Sequence, residues 1–204
     1  MRSPEPFGIV EITPEREYLI VFEFFDDAKE LGDAEVEVDE AIIDDGLRII
    51  RRLWDAGLAH RDIKPANLLV RHGRVHLIDV FFAEVRPSPW RQAVDLANMM
   101  LVLATRSSPH QVYERARLQF RDDEIAEAFA ATHGITMPSQ LRQWMREQGR
   151  DLHKESLKLL PERPHPISTQ HWSFRRVGLL LGVLLVGLLA LLTVFSNLTS
   201  AGLL

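Results

Sequence analysis

The sequence predicts an α+β chain: a β-hairpin at the front, a mostly helical body, and one C-terminal transmembrane helix. Three observations carry this. Phe7–Thr13 and Tyr18–Phe25 are runs rich in β-branched and aromatic residues, separated by Pro14-Glu15-Arg16-Glu17, which reads as two strands and a turn. Further on, apolar residues recur every three or four positions, the period of a helix with one buried face. Val177–Phe195 is an uncharged run of 19 residues, mostly Leu, Val, Gly and Ala.

At 204 residues the chain has room for one modest domain and an extra segment. Its net charge of -5 gives a nucleic-acid partner no electrostatic support. The absence of cysteine excludes disulfides and thiolate metal sites. Met1-Arg2-Ser3-Pro4-Glu5-Pro6 lacks the apolar core of a secretion signal.

After the hairpin, Asp26–Asp39 is acidic and irregular and leads out of the sheet. Glu40–Ala56 places Ile42, Ile43, Leu47, Ile50, Leu53 and Trp54 on one helical face, with Arg48, Arg51 and Arg52 largely outside it. Gly57 suits the position that stops this helix. The acidic residues Glu35, Glu37, Asp39, Glu40, Asp44 and Asp45 read as a solvated loop and helix start. Leu68–Arg71 and Val75–Ile78 read as short strands joined at His72-Gly73-Arg74. Phe81–Pro89 reads as a loop. Pro89–Ala104 is apolar on most faces, which predicts a buried helix. Three more helices are expected over Pro109–Phe120, Asp122–Thr132 and Pro138–Gln148, with Asp122 and Ser139 as N-caps and Gly134 and Gly149 as stops.

Pro161, Pro164 and Pro166 make the stretch up to 176 an extended linker. The run 177–195 spans about 28 Å at roughly 1.5 Å per residue, close to the hydrocarbon thickness of a bilayer. Arg175 and Arg176 precede it and no cation follows. The positive-inside rule then puts residues 1–176 in the cytoplasm and leaves 196–204 as a short tail.

The chemistry is concentrated in His60-Arg61-Asp62-Ile63-Lys64-Pro65-Ala66-Asn67, followed by an apolar run that ends in Ile78-Asp79. This H-R-D-x-K-P-x-N pattern with a downstream aspartate is that of a phosphotransfer loop. Asp62 can orient a hydroxyl and accept its proton. Lys64, two residues on, can reach the same side and meet a γ-phosphate. Asn67 and Asp79 offer hard oxygen ligands, which together with phosphate oxygens suit Mg²⁺. The other histidines, His72, His76, His110, His133, His153, His165 and His171, show no metal-ligand spacing and read as surface or linker residues.

On these motifs residues 18–104 resemble the protein-kinase-like superfamily. The resemblance implies a helical C-lobe over 28–159 and a small-lobe remnant over 1–27. It makes Val21-Phe22-Glu23-Phe24-Phe25 the hinge, with Phe22 as gatekeeper and the backbone of Glu23 and Phe25 bonding adenine of ATP. Leu69 becomes the floor under the adenine. Asp95 anchors the catalytic-loop backbone, and His60 and Arg61 support it.

The departures point away from typical protein kinases. Asp79-Val80-Phe81 replaces Asp-Phe-Gly, and the fifteen residues between Asp79 and Asp95 hold no Ala-Pro-Glu and only Ser88 as a hydroxyl. Arg61 therefore has no phosphoresidue to bind. The short segment is similar to RIO-like, lipopolysaccharide-kinase-like or aminoglycoside-phosphotransferase-like branches. Only 17 residues precede Tyr18, too few for a glycine-rich loop, strand lysine and glutamate helix, and neither Gly8 nor Lys29 can substitute. The expectation is a membrane-anchored, ATP- and Mg²⁺-dependent phosphotransferase acting on an unidentified hydroxyl acceptor, either truncated or degenerate. The alternative is an inactive pseudokinase that regulates or scaffolds a larger membrane protein.

Overall fold

The computed structural model of the chain describes residues 4–12, 18–132, 136–161 and 174–200. The chain forms two units, Met1–Ile167 and Ser168–Leu204.

In the first unit, β1 (Pro6–Glu11) pairs antiparallel with β2 (Tyr18–Phe22), Ile9 opposite Ile20. Every residue of both strands is exposed, so the hairpin's apolar side chains face outward on both sides. The second strand ends earlier than its composition suggests, because Glu23–Phe25 leave the ladder after the Glu23 N–H donates to Glu5 O at 2.8 Å. The expected turn over 14–17 lies outside the described residues.

The segment expected to be irregular contains a strand, β3 (Lys29–Glu30), which joins β5 (Leu68–Arg71) and β6 (Arg74–Leu77) in a three-stranded sheet. Leu31 is fully buried beside it and donates its N–H to Leu68 O at 2.8 Å. Burial of that one side chain holds a two-residue strand too short to show a pattern. The β5–β6 turn uses His72 and Gly73 at φ 50° and 67°, the double positive-φ geometry that matches the twist of a tight hairpin.

Helix α1 (Glu40–Asp55) is capped by Asp39, whose Oδ1 accepts the Ile42 N–H at 2.9 Å. Gly57, at φ 66°, ends it as expected. The predicted apolar face is buried. The acidic stretch, however, is not solvated throughout. Asp45 is buried, and its carboxylate accepts the Val75 N–H and an Arg48 N–H, both at 3.0 Å, which fastens α1 to β6. Arg51, outside the apolar face, donates to Gln119 O at 2.9 Å and to Glu124 at 2.9 Å, with its guanidinium 4.1 Å from the Phe120 ring.

Helix α2 (Pro89–Ala104) is buried from Ala93 to its end and forms the centre of the unit. It crosses α1 closely at Gly46. A Cβ there would lie 3.3 Å from both Leu103 Cδ1 and Met99 Sδ. Gly46→Val is therefore expected to overpack this crossing and lower unfolding free energy by about 1–3 kcal/mol; urea unfolding followed by circular dichroism measures it.

The loop expected over Phe81–Pro89 is more ordered than that. A 3-10 turn covers Val80–Phe82, then β7 (Glu84–Val85) pairs with β4 (Leu58–Ala59). Helices α3 (Pro109–Ala116), α4 (Asp122–Ala131) and α5 (Ser139–Gln148) follow. Two expected caps shift by one residue. Arg121 caps α4, with the Glu124 carboxylate returning to its N–H at 2.8 Å, while Asp122 pairs with Arg117 at 3.0 Å. Pro138 precedes α5 in the cap position instead of Ser139. Gly149, at φ 62°, ends α5 as expected; Gly134 lies outside the described residues. The short helix α6 (Leu152–Leu157) has six residues, too few for a readable period, and is capped by Asp151, which accepts the Lys154 N–H at 3.0 Å. His76 and His153 are not free surface residues: His76 packs edge-on against Phe25 at 4.8 Å, and His153 Nε2 bonds Phe129 O at 3.2 Å.

In the second unit, α7 runs Phe174–Ser200. Among the described residues no helix is long and apolar enough to cross a membrane. In α7 the described side chains are those of 178, 179 and 182–193, so the span expected over 177–195 lies partly outside them, and the linker expected over 160–176 mostly does.

Candidate active site

The segment 60–67 leaves β4 at Ala59 and turns under the N-terminal half of α2. Asp95 holds that turn. Its Oδ2 accepts the His60 N–H at 2.5 Å and its Oδ1 the Arg61 N–H at 2.9 Å. Arg61 sits at φ 68°, left-handed backbone that a non-glycine residue adopts at a cost. The two bonds to one buried carboxylate hold it there. Asp95 is thus more than a charge near a helix start.

His60 ties the loop to the strand that delivers Asp79. Its ring Nε2 donates to Ile78 O at 3.1 Å in the tautomer this bond requires. Asn67 adds a second tie, its carbonyl accepting the Ile78 N–H at 3.0 Å. The 3-10 turn Pro65–Asn67 brings the Asn67 side chain back toward Asp62. Its Nδ2 donates to Asp62 O at 2.9 Å and to Asp62 Oδ2 at 3.0 Å. Lys64 Nζ meets the same Oδ2 at 2.6 Å. Asp62, Lys64 and Asn67 therefore form one bonded cluster.

With Nδ2 engaged, the Asn67 Oδ1 has no donor among the described residues. Asp79, at φ 61°, begins the next 3-10 turn, and its carboxylate has no partner among the described residues either. Two oxygen-bearing side chains on adjacent segments fit a cation that keeps waters and takes further ligands from phosphate, the habit of Mg²⁺. Among the described residues no group of three or more His, Asp or Glu could hold a metal by itself.

Burial sets the two key protonation states. Desolvation pushes the Asp95 carboxyl up to about 7, against the pull of the two backbone N–H groups. Desolvation also lowers the His60 imidazole below its ordinary 6.5, against the raising effect of its bond to Ile78 O. The two act on stability in opposite directions. Folded Asp95 keeps a proton that the unfolded chain loses above its ordinary 3.8, so its contribution is complete below about pH 4 and is lost as pH rises to about 7. The contribution of His60 is present above 6.5 and is lost as pH falls through its lowered folded value. Wild-type stability is expected to fall by a few kcal/mol from Asp95 between about pH 4 and pH 7, then level off. Urea midpoints measured across that range, for wild type and Asp95→Asn, check this; the variant should lose the slope.

Sequence alone does not single out Glu84. Its Oε2 lies 2.9 Å from Arg91 Nη1 and 3.4 Å from Arg61 Nη1. Arg61, expected to lack a phosphoresidue, thus has a built-in carboxylate. The β4–β7 ladder and the Arg86 N–H to Gly57 O bond, 2.8 Å, hold the same short segment. An acid inside the fifteen residues after Asp79 was the one available signal, and spacing alone could not join it to Arg61.

The residues expected around adenine divide. The Glu23 N–H is taken by Glu5 O, so its carbonyl is the group left to serve a base. The Glu23 carboxylate pairs with Arg71 at 3.1 Å. The Phe25 ring leans on His76 and stands 4.8 Å from the Arg71 guanidinium. Leu69 lies in β5, opposite His76 and Glu30. Glu23, Phe25 and Leu69 are therefore gathered beside one sheet.

No protein-family model matches the chain. Over 100 residues the chain is 29% identical to the KEOPS complex subunit Bud32 of Pyrococcus abyssi (strain GE5 / Orsay). That match takes in 49% of this chain and 42% of the relative, so it spans less than half the length of that curated protein. Among solved structures, the Rad53 kinase domain with SCD2 aligns at a TM-score of 0.40 and 18% identity, covering 78% of this chain and 70% of that one. The relationship supported for this chain is kinase-like, and it is a distant one.

Proposed function

We propose that the chain is a kinase-like phosphotransferase that uses ATP and Mg²⁺. The observation that carries this reading is the bonded cluster of Asp62, Lys64 and Asn67, joined through Ile78 to Asp79. Asp62 orients the acceptor hydroxyl and takes its proton. Lys64 shares the Asp62 oxygen and presents its ammonium where negative charge builds on the transferred group. Asn67 Oδ1 and the Asp79 carboxylate would hold Mg²⁺, which when bound neutralises phosphate oxygens. Asp95 and His60 fix the loop's geometry, and Glu84 fixes Arg61. The Glu23 carbonyl, Phe25 and Leu69 receive the adenine. The acceptor is a hydroxyl of a protein or small molecule.

The reading includes membrane attachment through 177–195, with residues 1–176 on the cytoplasmic side. The uncharged run and the Arg175-Arg176 pair before it support this.

Calorimetric titration of the full natural reading frame with Mg-ATP tests the proposal. Binding in wild type that weakens at least about tenfold in Asp79→Ala supports it; equal binding in both, or none in either, sinks it. One observation favours a second reading, a non-catalytic regulatory module: Asp79-Val80-Phe81 has Phe81 where Asp-Phe-Gly has its glycine. That reading predicts that Asp62→Asn leaves the protein's cellular role unchanged.

A further inference from the structure

A second cavity lies apart from the cluster described above. It is an open hollow of about 540 Å³ against α5, the start of α6 and Met137, and none of its lining residues falls between 60 and 79. That volume is within the range of small-ligand sites. Arg142 and Arg146 line it from successive turns of α5, and Arg150 lines it from just past the Gly149 stop. Three guanidinium groups therefore border one hollow in a chain whose net charge is -5.

The three are not equivalent. Arg150 is committed to Glu155, with Nη2 2.7 Å and Nε 3.3 Å from its carboxylate. The guanidinium groups of Arg142 and Arg146 have no hydrogen-bond or ion-pair partner among the described residues. They stand one turn apart, where like charges repel. Asp151 is the acidic residue of the lining, and its Oδ1 is occupied in capping α6. Met137, which is buried, and Met145 add an apolar surface. An anion seated between Arg142 and Arg146 relieves their repulsion and meets the fork geometry that guanidinium groups offer to phosphate.

We propose that this cavity is a phosphate-binding site, with Arg142 and Arg146 as its paired ligands. The phosphate is carried either by a small soluble compound or by an anionic lipid headgroup, the latter because α5 and α6 precede the proposed membrane segment in the sequence. The headgroup source rests on the membrane attachment proposed above; neither source rests on phosphoryl transfer.

The first arm of the test titrates inorganic pyrophosphate, without Mg²⁺, into the full chain in neutral detergent. The second compares the chain in nanodiscs of phosphatidylcholine with nanodiscs of equal parts phosphatidylcholine and phosphatidylglycerol, reading deuterium exchange over 139–150. Arg142 and Arg146 are exposed, so the Arg142→Gln/Arg146→Gln variant should fold, and a thermal melt checks it. Expected is saturable pyrophosphate binding that weakens about tenfold or more in the double variant and is unchanged in Asp79→Ala. An arginine-dependent response in the lipid arm alone assigns the site to a headgroup. Equal responses of wild type and double variant in both arms overturn the proposal.

Discussion

Replacing Asp95 with alanine is expected to destabilise the chain by about 2–5 kcal/mol, because it strips the acceptor from two backbone N–H groups at once. The His60 and Arg61 amides that it serves, at 2.5 and 2.9 Å, have no substitute partner among the described residues. In a domain of this size the loss corresponds to roughly 5–15 °C in melting temperature. The loss should be larger at acid pH than at pH 8, since burial keeps the Asp95 carboxyl protonated up to about 7 and wild type is most favoured where the proton stays on. Asp95→Asn retains one carbonyl acceptor and should fall between the two. Differential scanning calorimetry of the three proteins at two pH values separates these effects. The same change should also free the left-handed backbone at Arg61, so that amide exchange through 60–67 speeds up ahead of the rest of the unit.

Asp62→Asn is expected to lower the rate of phosphoryl transfer by about 10²–10⁴ while leaving Mg-ATP affinity near its wild-type value. The amide keeps the shape and can still accept from Asn67, but it cannot take the proton of an acceptor hydroxyl. The side chain is partly exposed, as is that of its partner Lys64, so the lost ion pair should barely alter stability. Single-turnover transfer from labelled ATP, run beside a thermal melt, distinguishes lost chemistry from lost fold. Unchanged transfer in Asp62→Asn would remove Asp62 from the mechanism.

Much of this architecture is legible in the sequence wherever the signal is local. The apolar face of α1 and its stop at Gly57, the buried α2, and the β5–β6 hairpin all follow from spacing and turn chemistry. So does the 60–67 loop, because its chemistry is written in consecutive residues. What escapes is what depends on distant contacts or very short elements. β3 exists because Leu31 is buried beside Leu68, and α6 is shorter than two turns. Asp45 reads as one more surface acid until the Val75 amide reaches it across thirty residues of sequence. Glu84 is joined to Arg61 and Arg91 only by the antiparallel pairing of β4 and β7. The arginines of α5 read as an ordinary polar face, and only the approach of Met137 and α6 makes that face concave. The hairpin strands were readable, yet their exposure on both faces was not, because composition reports strand tendency and says nothing about what packs against it.

In the proposed mechanism Asn67 and Asp79 together form a cation site that a nucleotide completes. Side-chain amide NMR of the ¹⁵N-labelled chain, with Mn²⁺-ATP in place of Mg²⁺-ATP, tests it most directly. The Asn67 side-chain amide signals are expected to broaden strongly on addition of Mn²⁺-ATP, and Asp79→Ala is expected to abolish the broadening. Sharp, unshifted Asn67 signals at saturating Mn²⁺-ATP would contradict it.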